Sequence, residues 1–190
     1  MPSSIATLYF DGKEYSLGIG REESSTYFGG PGYDEVIEGP RYGPRRLHHI
    51  LTINNSKFSI PGYNFGFVTS FYYGICFEGC TLTYRRTATA AIKITEMDPR
   101  KAGRDYPYFG YPDLLPFHPL QVIETKDVTT EEIQDSLYNA AWNVDPAKLY
   151  LTIPNSAGLG LSLWPPGEGV EIVFEYDPIV GVVRACNQAD

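Results

Sequence analysis

The segment TTEEIQDSLYNAAWNV, residues 129–144, holds the clearest secondary-structure signal in this chain. Thr129 and Glu132 have the spacing of a capping box, and Val128 precedes the cap as one half of a hydrophobic staple. Four apolar residues recur at the spacing of one helix face: Ile133, Leu137, Ala140 and Val144. The pattern predicts an amphipathic helix over 129–144 that stops before Pro146 and packs with one face on a sheet.

The rest of the chain has the pattern of short β-strands separated by turns. It contains 19 glycines and 15 prolines, and β-branched and aromatic residues dominate the segments between them. Asp11-Gly12, between residues 8–10 and 14–17, predicts a type I′ hairpin. Further strands are predicted at 47–53, 65–73, 74–84, 90–96, 120–124, 149–153, 159–164, 170–176 and 179–185. The sequence therefore predicts a mainly β (α+β) fold, an antiparallel sandwich or barrel with one helix packed on a sheet.

Two long segments, 21–46 and 97–119, lack the pattern of a strand or a helix. Loops longer than about 15 residues are usually functional or disordered. Disordered segments are poor in aromatic residues, whereas these two are rich in them. We therefore predict a single β-rich domain over 1–190 with two long ordered loops.

The composition of the two loops favours contact with another protein. Tyrosine and arginine are enriched where surfaces bury against a partner, because each combines a large contact area with a polar group. The predicted interaction surface comprises Tyr27, Tyr33, Arg41, Tyr42, Arg45, Tyr106, Tyr108, Phe109 and Tyr111. We expect a non-catalytic interaction or assembly subunit, whose partner is another protein or a second copy. Subunits of virion-like assemblies and small acidic inhibitors both fit this description. The same loops would also serve to cover the edges of the sheet.

The alternative is a small hydrolase, or a ligand- or glycan-binding protein, with a site between the two loops. Its candidate residues are His118, Cys76, Asp113 and Arg45. A cysteine nucleophile needs a base, which a histidine in the turn Pro116-Phe117-His118-Pro119 would supply. The sequence contains no common motif for catalysis or nucleotide binding, so it favours binding over catalysis.

Charge and cysteine content argue against several other classes. The net charge of −8 disfavours binding to nucleic acid or to anionic membranes, since both need a basic surface. Cys76 and Cys80 would lie about 13 Å apart on an extended strand, too far to share a metal, and His48 and His49 would point to opposite faces. We expect no metal or other cofactor. Without a signal peptide or membrane span in the sequence, we expect a cytoplasmic protein, or one incorporated into an assembly made in the cytosol.

Overall fold

The computed structural model describes residues 4–30, 36–41, 43–59, 68–74, 77, 80–87, 91–102, 114–137, 142–154 and 170–189. Within them the chain is mainly β, as the sequence predicts, with twelve strands and one α-helix, α1 (Thr130–Ser136). The strands are β1 (Ala6–Phe10), β2 (Lys13–Ile19), β3 (Tyr27–Phe28), β4 (Val36–Glu38), β5 (His48–Asn54), β6 (Val68–Tyr73), β7 (Leu82–Arg86), β8 (Ile92–Met97), β9 (His118–Asp127), β10 (Leu149–Pro154), β11 (Val170–Asp177) and β12 (Val182–Ala189). Short 3₁₀ turns occupy Asn55–Lys57 and Pro99–Ala102.

The described strands form one curled half-barrel sheet. Their order is β4-β8-β7-β12-β11-β10-β1-β2-β9-β3-β5-β6. Neighbouring strands are antiparallel except β4 and β8, which run parallel. The curl brings β6, at one end of this order, against strands of the other half. The ring of Phe71 on β6 lies 5.3 Å from that of Phe174 on β11, and the Tyr72 N–H donates to the Tyr84 hydroxyl on β7 at 2.7 Å.

The first hairpin is confirmed. β1 and β2 pair from Phe10 opposite Lys13 to Ala6 opposite Leu17. The turn residues Asp11 and Gly12 both have positive φ, 52° and 68°, and a type I′ turn requires this at both central positions.

Other strand predictions need correction. β3 and β4 lie within 21–46, which we predicted to be loop; they span two and three residues, too few to show a periodicity. Of the strand predicted at 74–84, β7 covers the part from Leu82; Gly74 and Phe77 are not in a strand, and the Phe77 ring lies close to Gly74. A Cβ on Gly74 would lie 2.0 Å from that ring. The strand predicted at 159–164 lies outside the described residues.

The predicted start of the helix is confirmed, and its predicted end at residue 144 is wrong. The Thr129 hydroxyl accepts from the Glu132 N–H at 3.2 Å, and the Glu132 carboxylate accepts from the Thr129 N–H at 2.7 Å, completing the capping box. The helix ends at Ser136, and residues 142–144 are not helical. Ala140 lies outside the described residues.

Residues 142–144 are held beside α1 by contacts that compete with helix propagation. The Gln134 side chain donates to the Trp142 carbonyl at 2.6 Å and accepts from the Val144 N–H at 2.8 Å. Trp142 is buried, and its ring lies under the Arg184 guanidinium at 4.3 Å. Tertiary burial of this indole therefore overrides the helical spacing of the sequence.

Both faces of the central sheet bury apolar side chains. On one face the main core includes a row of fully buried residues that lie opposite one another across five strands: Leu8, Leu151, Phe174, Ala185 and Leu82. On the other face a smaller cluster joins strand residues to α1 and the segment that follows it: Tyr9, Ile133, Leu137, Trp142, Tyr150, Val173 and Cys186.

Candidate interaction site

The two long loops predicted from the sequence meet in space. β3, in the first loop, pairs on one side with β5 and on the other with His118 and Pro119, where the second loop ends. The Gly30 N–H donates to the Leu115 carbonyl at 2.9 Å, and the Leu120 N–H donates to the Thr26 carbonyl at 2.8 Å. Residues 24–30 and 114–120 therefore form one hydrogen-bonded surface, which we call the loop junction.

Two glycines allow the strands of the loop junction to approach closely. Gly29 and Gly30 have φ of 61° and 76°, in the region that side chains other than glycine rarely adopt. A Cβ on Gly29 would lie 2.2 Å from the Pro116 carbonyl oxygen, and one on Gly30 would lie 2.8 Å from the Phe117 ring. Only glycine fits at these two positions.

A buried relay of polar side chains lies beneath the loop junction. His49 Nδ1 donates to the Gly29 carbonyl at 2.8 Å, so in the neutral imidazole Nε2 accepts from the Thr52 hydroxyl, also at 2.8 Å. The Thr52 and Ser70 hydroxyls are 2.7 Å apart. All three side chains are buried. This series of hydrogen bonds connects the Gly29 turn to β5 and β6.

A β-bulge in β5 brings the side chains of this relay together. Tyr72 lies opposite His49 and Phe71 lies opposite Leu51, so Ile50 is the additional residue. His49 and Thr52 are three apart and would face opposite sides of a regular strand; the bulge puts them on the same side. His48 lies opposite Tyr73. The sequence did not indicate the relay, since the bulge has no residue signature.

The exposed part of the loop junction is aromatic and apolar. Tyr27 lies between His49 and Phe117, with ring centroids 5.6 and 5.2 Å away. Phe117 is 45% exposed, and Leu114 three residues before it is 52% exposed. Contiguous apolar patches on a surface can mark a contact site for another protein, whereas single exposed apolar side chains are common.

The loop junction contains only part of the predicted interaction surface. Tyr27 belongs to it. The Arg45 carbonyl accepts from the Val36 N–H of β4 at 2.8 Å, and β4 pairs with β8, so Arg45 and the exposed Arg41 belong to a different part of the sheet. Six of the predicted residues lie outside the described ones: Tyr33, Tyr42, Tyr106, Tyr108, Phe109 and Tyr111. The predicted interaction surface did not include Phe117, Leu114 or His49.

The residues of the alternative catalytic site are only partly described. His118 lies opposite Phe28, which is fully buried in the main core, and the two ring centroids are 6.4 Å apart. Arg45 is on the β4 side of the sheet. Cys76 and Asp113 lie outside the described residues, so their proximity to His118 stays a prediction.

The two described thiols are buried. Burial raises the pKa of Cys80 to about 11 and that of Cys186 to about 12. A thiolate is the nucleophile and the metal ligand, and at neutral pH both groups are thiols. Among the described residues no three His, Cys, Asp or Glu side chains are grouped as metal ligands.

We expect both thiols to react slowly until the pH is strongly alkaline. In a Cys76→Ser variant, alkylation by iodoacetamide at pH 8 should be about a hundredfold slower for the folded protein than for the protein in urea, because an unperturbed thiol has a pKa of about 8.5. The folded state favours the protonated thiols, so the free energy of unfolding should fall as pH rises from about 8.5 toward 11. Rapid modification of Cys80 in the folded protein at pH 7 would contradict this.

A second polar cluster lies at the end of the sheet face covered by α1. The buried carboxylate of Glu175 accepts from Lys148 and from Arg184, each at 3.1 Å, and from the Tyr150 hydroxyl at 3.3 Å. Tyr150 lies opposite Glu175, and Glu175 lies opposite Arg184, so the register of three strands brings them together. Burial raises the pKa of Tyr150 to about 12. Each charge has an opposite partner, which suits this cluster to a structural role.

A small cavity between α1 and the first hairpin measures about 30 Å³ and is lined by Tyr9, Phe10, Val128, Ile133, Val144 and Tyr150 among others. Its volume is on the scale of one or two water molecules.

The one α-helix in the described part of the chain, α1, is seven residues long, too short to cross a membrane.

Comparisons with protein-family models, with curated proteins and with solved structures found no match.

Proposed function

We propose that this chain is a non-catalytic protein-binding or assembly subunit that contacts its partner through the loop junction. The observation that supports this most directly is the half-exposed Phe117 ring packed against Tyr27, with Leu114 exposed nearby. The partner would be a protein with an apolar pocket for the Phe117 ring and polar groups around it, in a multi-subunit assembly, virion-like or otherwise.

The construction of the loop junction supports this proposal. Hydrogen bonds from Gly30 to Leu115 and from His49 to Gly29 hold the turn and the aromatic segment in one arrangement. A surface that is already ordered loses little conformational entropy when it binds, so more of the contact energy appears as affinity. The same rigidity is of less use to a catalytic loop that must close over a substrate.

The proposal is tested by a photo-crosslinking amino acid at position 117, introduced in the cells that produce the protein. We expect a discrete covalent adduct, identified by mass spectrometry as a second protein or a second copy. The matched control carries the same amino acid at position 131, an exposed position on α1. No adduct at 117, or the same adducts at 117 and 131, would contradict the proposal.

We expect Phe117→Ala to weaken the interaction without unfolding the protein. Loss of a central aromatic anchor typically lowers affinity by about 2 kcal/mol, roughly thirtyfold. The side chain is 45% exposed, and its removal should therefore change the free energy of unfolding by about 1 kcal/mol or less. Ile179→Ala is the control, because Ile179 is 73% exposed but lies at the turn between β11 and β12. Equal loss of binding in both variants would point to a surface other than the loop junction.

A further inference from the structure

Among the described residues, strand β9 has one edge that is open over most of its length. On one side it pairs with β2 from Ile19 opposite Leu120 to Lys13 opposite Asp127. On its other side β3 pairs only with its first two residues. In the part of the chain that the structure describes, no strand extends the sheet beside residues 121–127. Their side chains are exposed, apart from the half-buried Ile123.

The strand pairing shows which backbone groups face this open edge. In a two-residue hairpin the flanking residues, here Phe10 and Lys13, form a hydrogen-bonded pair. Backbone groups alternate in direction along a strand, so those of Glu14 face β9. Lys126 lies opposite Glu14, so its backbone N–H and C=O point to β2 and pair with those of Glu14. Thr125, one residue before, therefore directs its N–H and C=O to the open edge.

The sequence around Thr125 is complementary to itself in the antiparallel direction. When Thr125 lies opposite Thr125 of a second copy, Glu124 of each chain lies opposite Lys126 of the other. These two positions form non-hydrogen-bonded pairs, in which the Cα atoms approach to about 4.5 Å and side chains interact most closely. The two-fold arrangement thus forms two ion pairs beside a reciprocal pair of backbone hydrogen bonds.

Other arrangements of the same edge are unfavourable. A two-fold axis at residue 124 would place Glu124 opposite itself, and an axis at residue 126 would place Lys126 opposite itself. Like charges directly opposite each other destabilise a strand pair. The edge is therefore selective in register.

We propose that the open edge of β9 pairs with β9 of a second copy of this chain, antiparallel, about a two-fold axis at Thr125. Pairing of this kind joins the two sheets into one continuous sheet across the dimer. The paired residues of β9 follow the loop junction in the chain, and this proposal does not use Phe117.

The proposal is tested by exchanging the two charges in separate proteins. Glu124→Lys and Lys126→Glu each place like charges opposite one another in the homodimer, and each should raise the dimer dissociation constant by about tenfold or more. A mixture of the two variants restores two opposite-charge pairs per interface. We therefore expect sedimentation velocity to show monomers of 21.2 kDa for each variant alone and a heterodimer for the mixture, at a concentration where the wild type is dimeric.

Controls distinguish an effect on this edge from an effect on folding and from an effect on the loop junction. Circular dichroism and thermal unfolding confirm that each variant folds, since Lys126 also pairs with Glu14 at 3.0 Å. Glu131→Lys makes the same charge change on α1 and should leave the dimer intact. Thr125→Pro removes an N–H that faces the open edge, and it should abolish the dimer. A wild type that is monomeric at every concentration would overturn the proposal. So would a dimer that Phe117→Ala dissociates and the charge exchange does not, which would leave the proposed function standing.

Discussion

Gly29→Ala is expected to lower the free energy of unfolding by about 3–5 kcal/mol, as measured by urea denaturation. Two costs combine. The backbone has φ of 61°, and the new Cβ would lie 2.2 Å from the Pro116 carbonyl oxygen and 2.9 Å from the Leu115 Cβ. A backbone oxygen cannot move aside as the end of a flexible side chain can. The loss is a large fraction of the roughly 5–15 kcal/mol that stabilises a typical domain.

Gly12→Ala is the matched control for this experiment. Gly12 has nearly the same backbone conformation, with φ of 68°, but an added Cβ would meet only the Val128 carbonyl oxygen at 3.9 Å. The left-handed conformation alone costs about 1–2 kcal/mol for an alanine. The difference between the two variants therefore measures the close approach of the loops. Equal losses of unfolding free energy in the two variants would show that the close approach of the loops to Gly29 adds no cost.

Glu175→Ala is expected to cost about 2–3 kcal/mol, the second largest effect. The substitution leaves Lys148, Arg184 and the Tyr150 hydroxyl without their shared acceptor on a covered face of the sheet. Removal of one member of a fully buried ion pair costs about 3–5 kcal/mol. The side chains of Lys148 and Arg184 are 26% and 34% exposed, and the access of water to them reduces that cost.

An ion pair of similar length at the surface provides the comparison. Lys13 Nζ lies 2.8 Å from Asp127 Oδ1, shorter than the 3.1 Å contacts of Glu175, but the Asp127 side chain is 89% exposed. Solvent-exposed pairs add little to stability, so Asp127→Ala should leave the urea midpoint almost unchanged. If both variants lose the same stability, burial is not what makes the Glu175 cluster important.

Features that depend on neighbouring residues were predictable from the sequence. The capping box at Thr129 and the turn at Asp11-Gly12 form as expected, because their hydrogen bonds and backbone angles involve residues only a few positions apart. The mainly β class follows from the same local patterns. Composition singled out the two long segments, and the structure brings them together at Tyr27; their role as an interaction surface stays a prediction.

Features that depend on distant residues were not predictable. The helix was expected to reach residue 144, but α1 ends at Ser136, and Trp142 is buried with Ile133 and Leu137 on the sheet face that α1 covers. The His49 relay requires a bulge at Ile50 and contacts with Gly29 and Ser70, which are about 20 residues away in either direction. His118 begins β9, and the Arg45 carbonyl contacts β4; their grouping in the alternative site stays a prediction.

The amino-acid sequence by itself therefore determined the β-rich class, the first hairpin and the point where the helix begins, since local sterics and short-range hydrogen bonds suffice for these. The tertiary structure alone decided which residues meet. Phe117 against Tyr27, Glu175 between Lys148 and Arg184, and the open edge at Thr125 all arise from strand order and register, which depend on contacts between residues far apart in the chain.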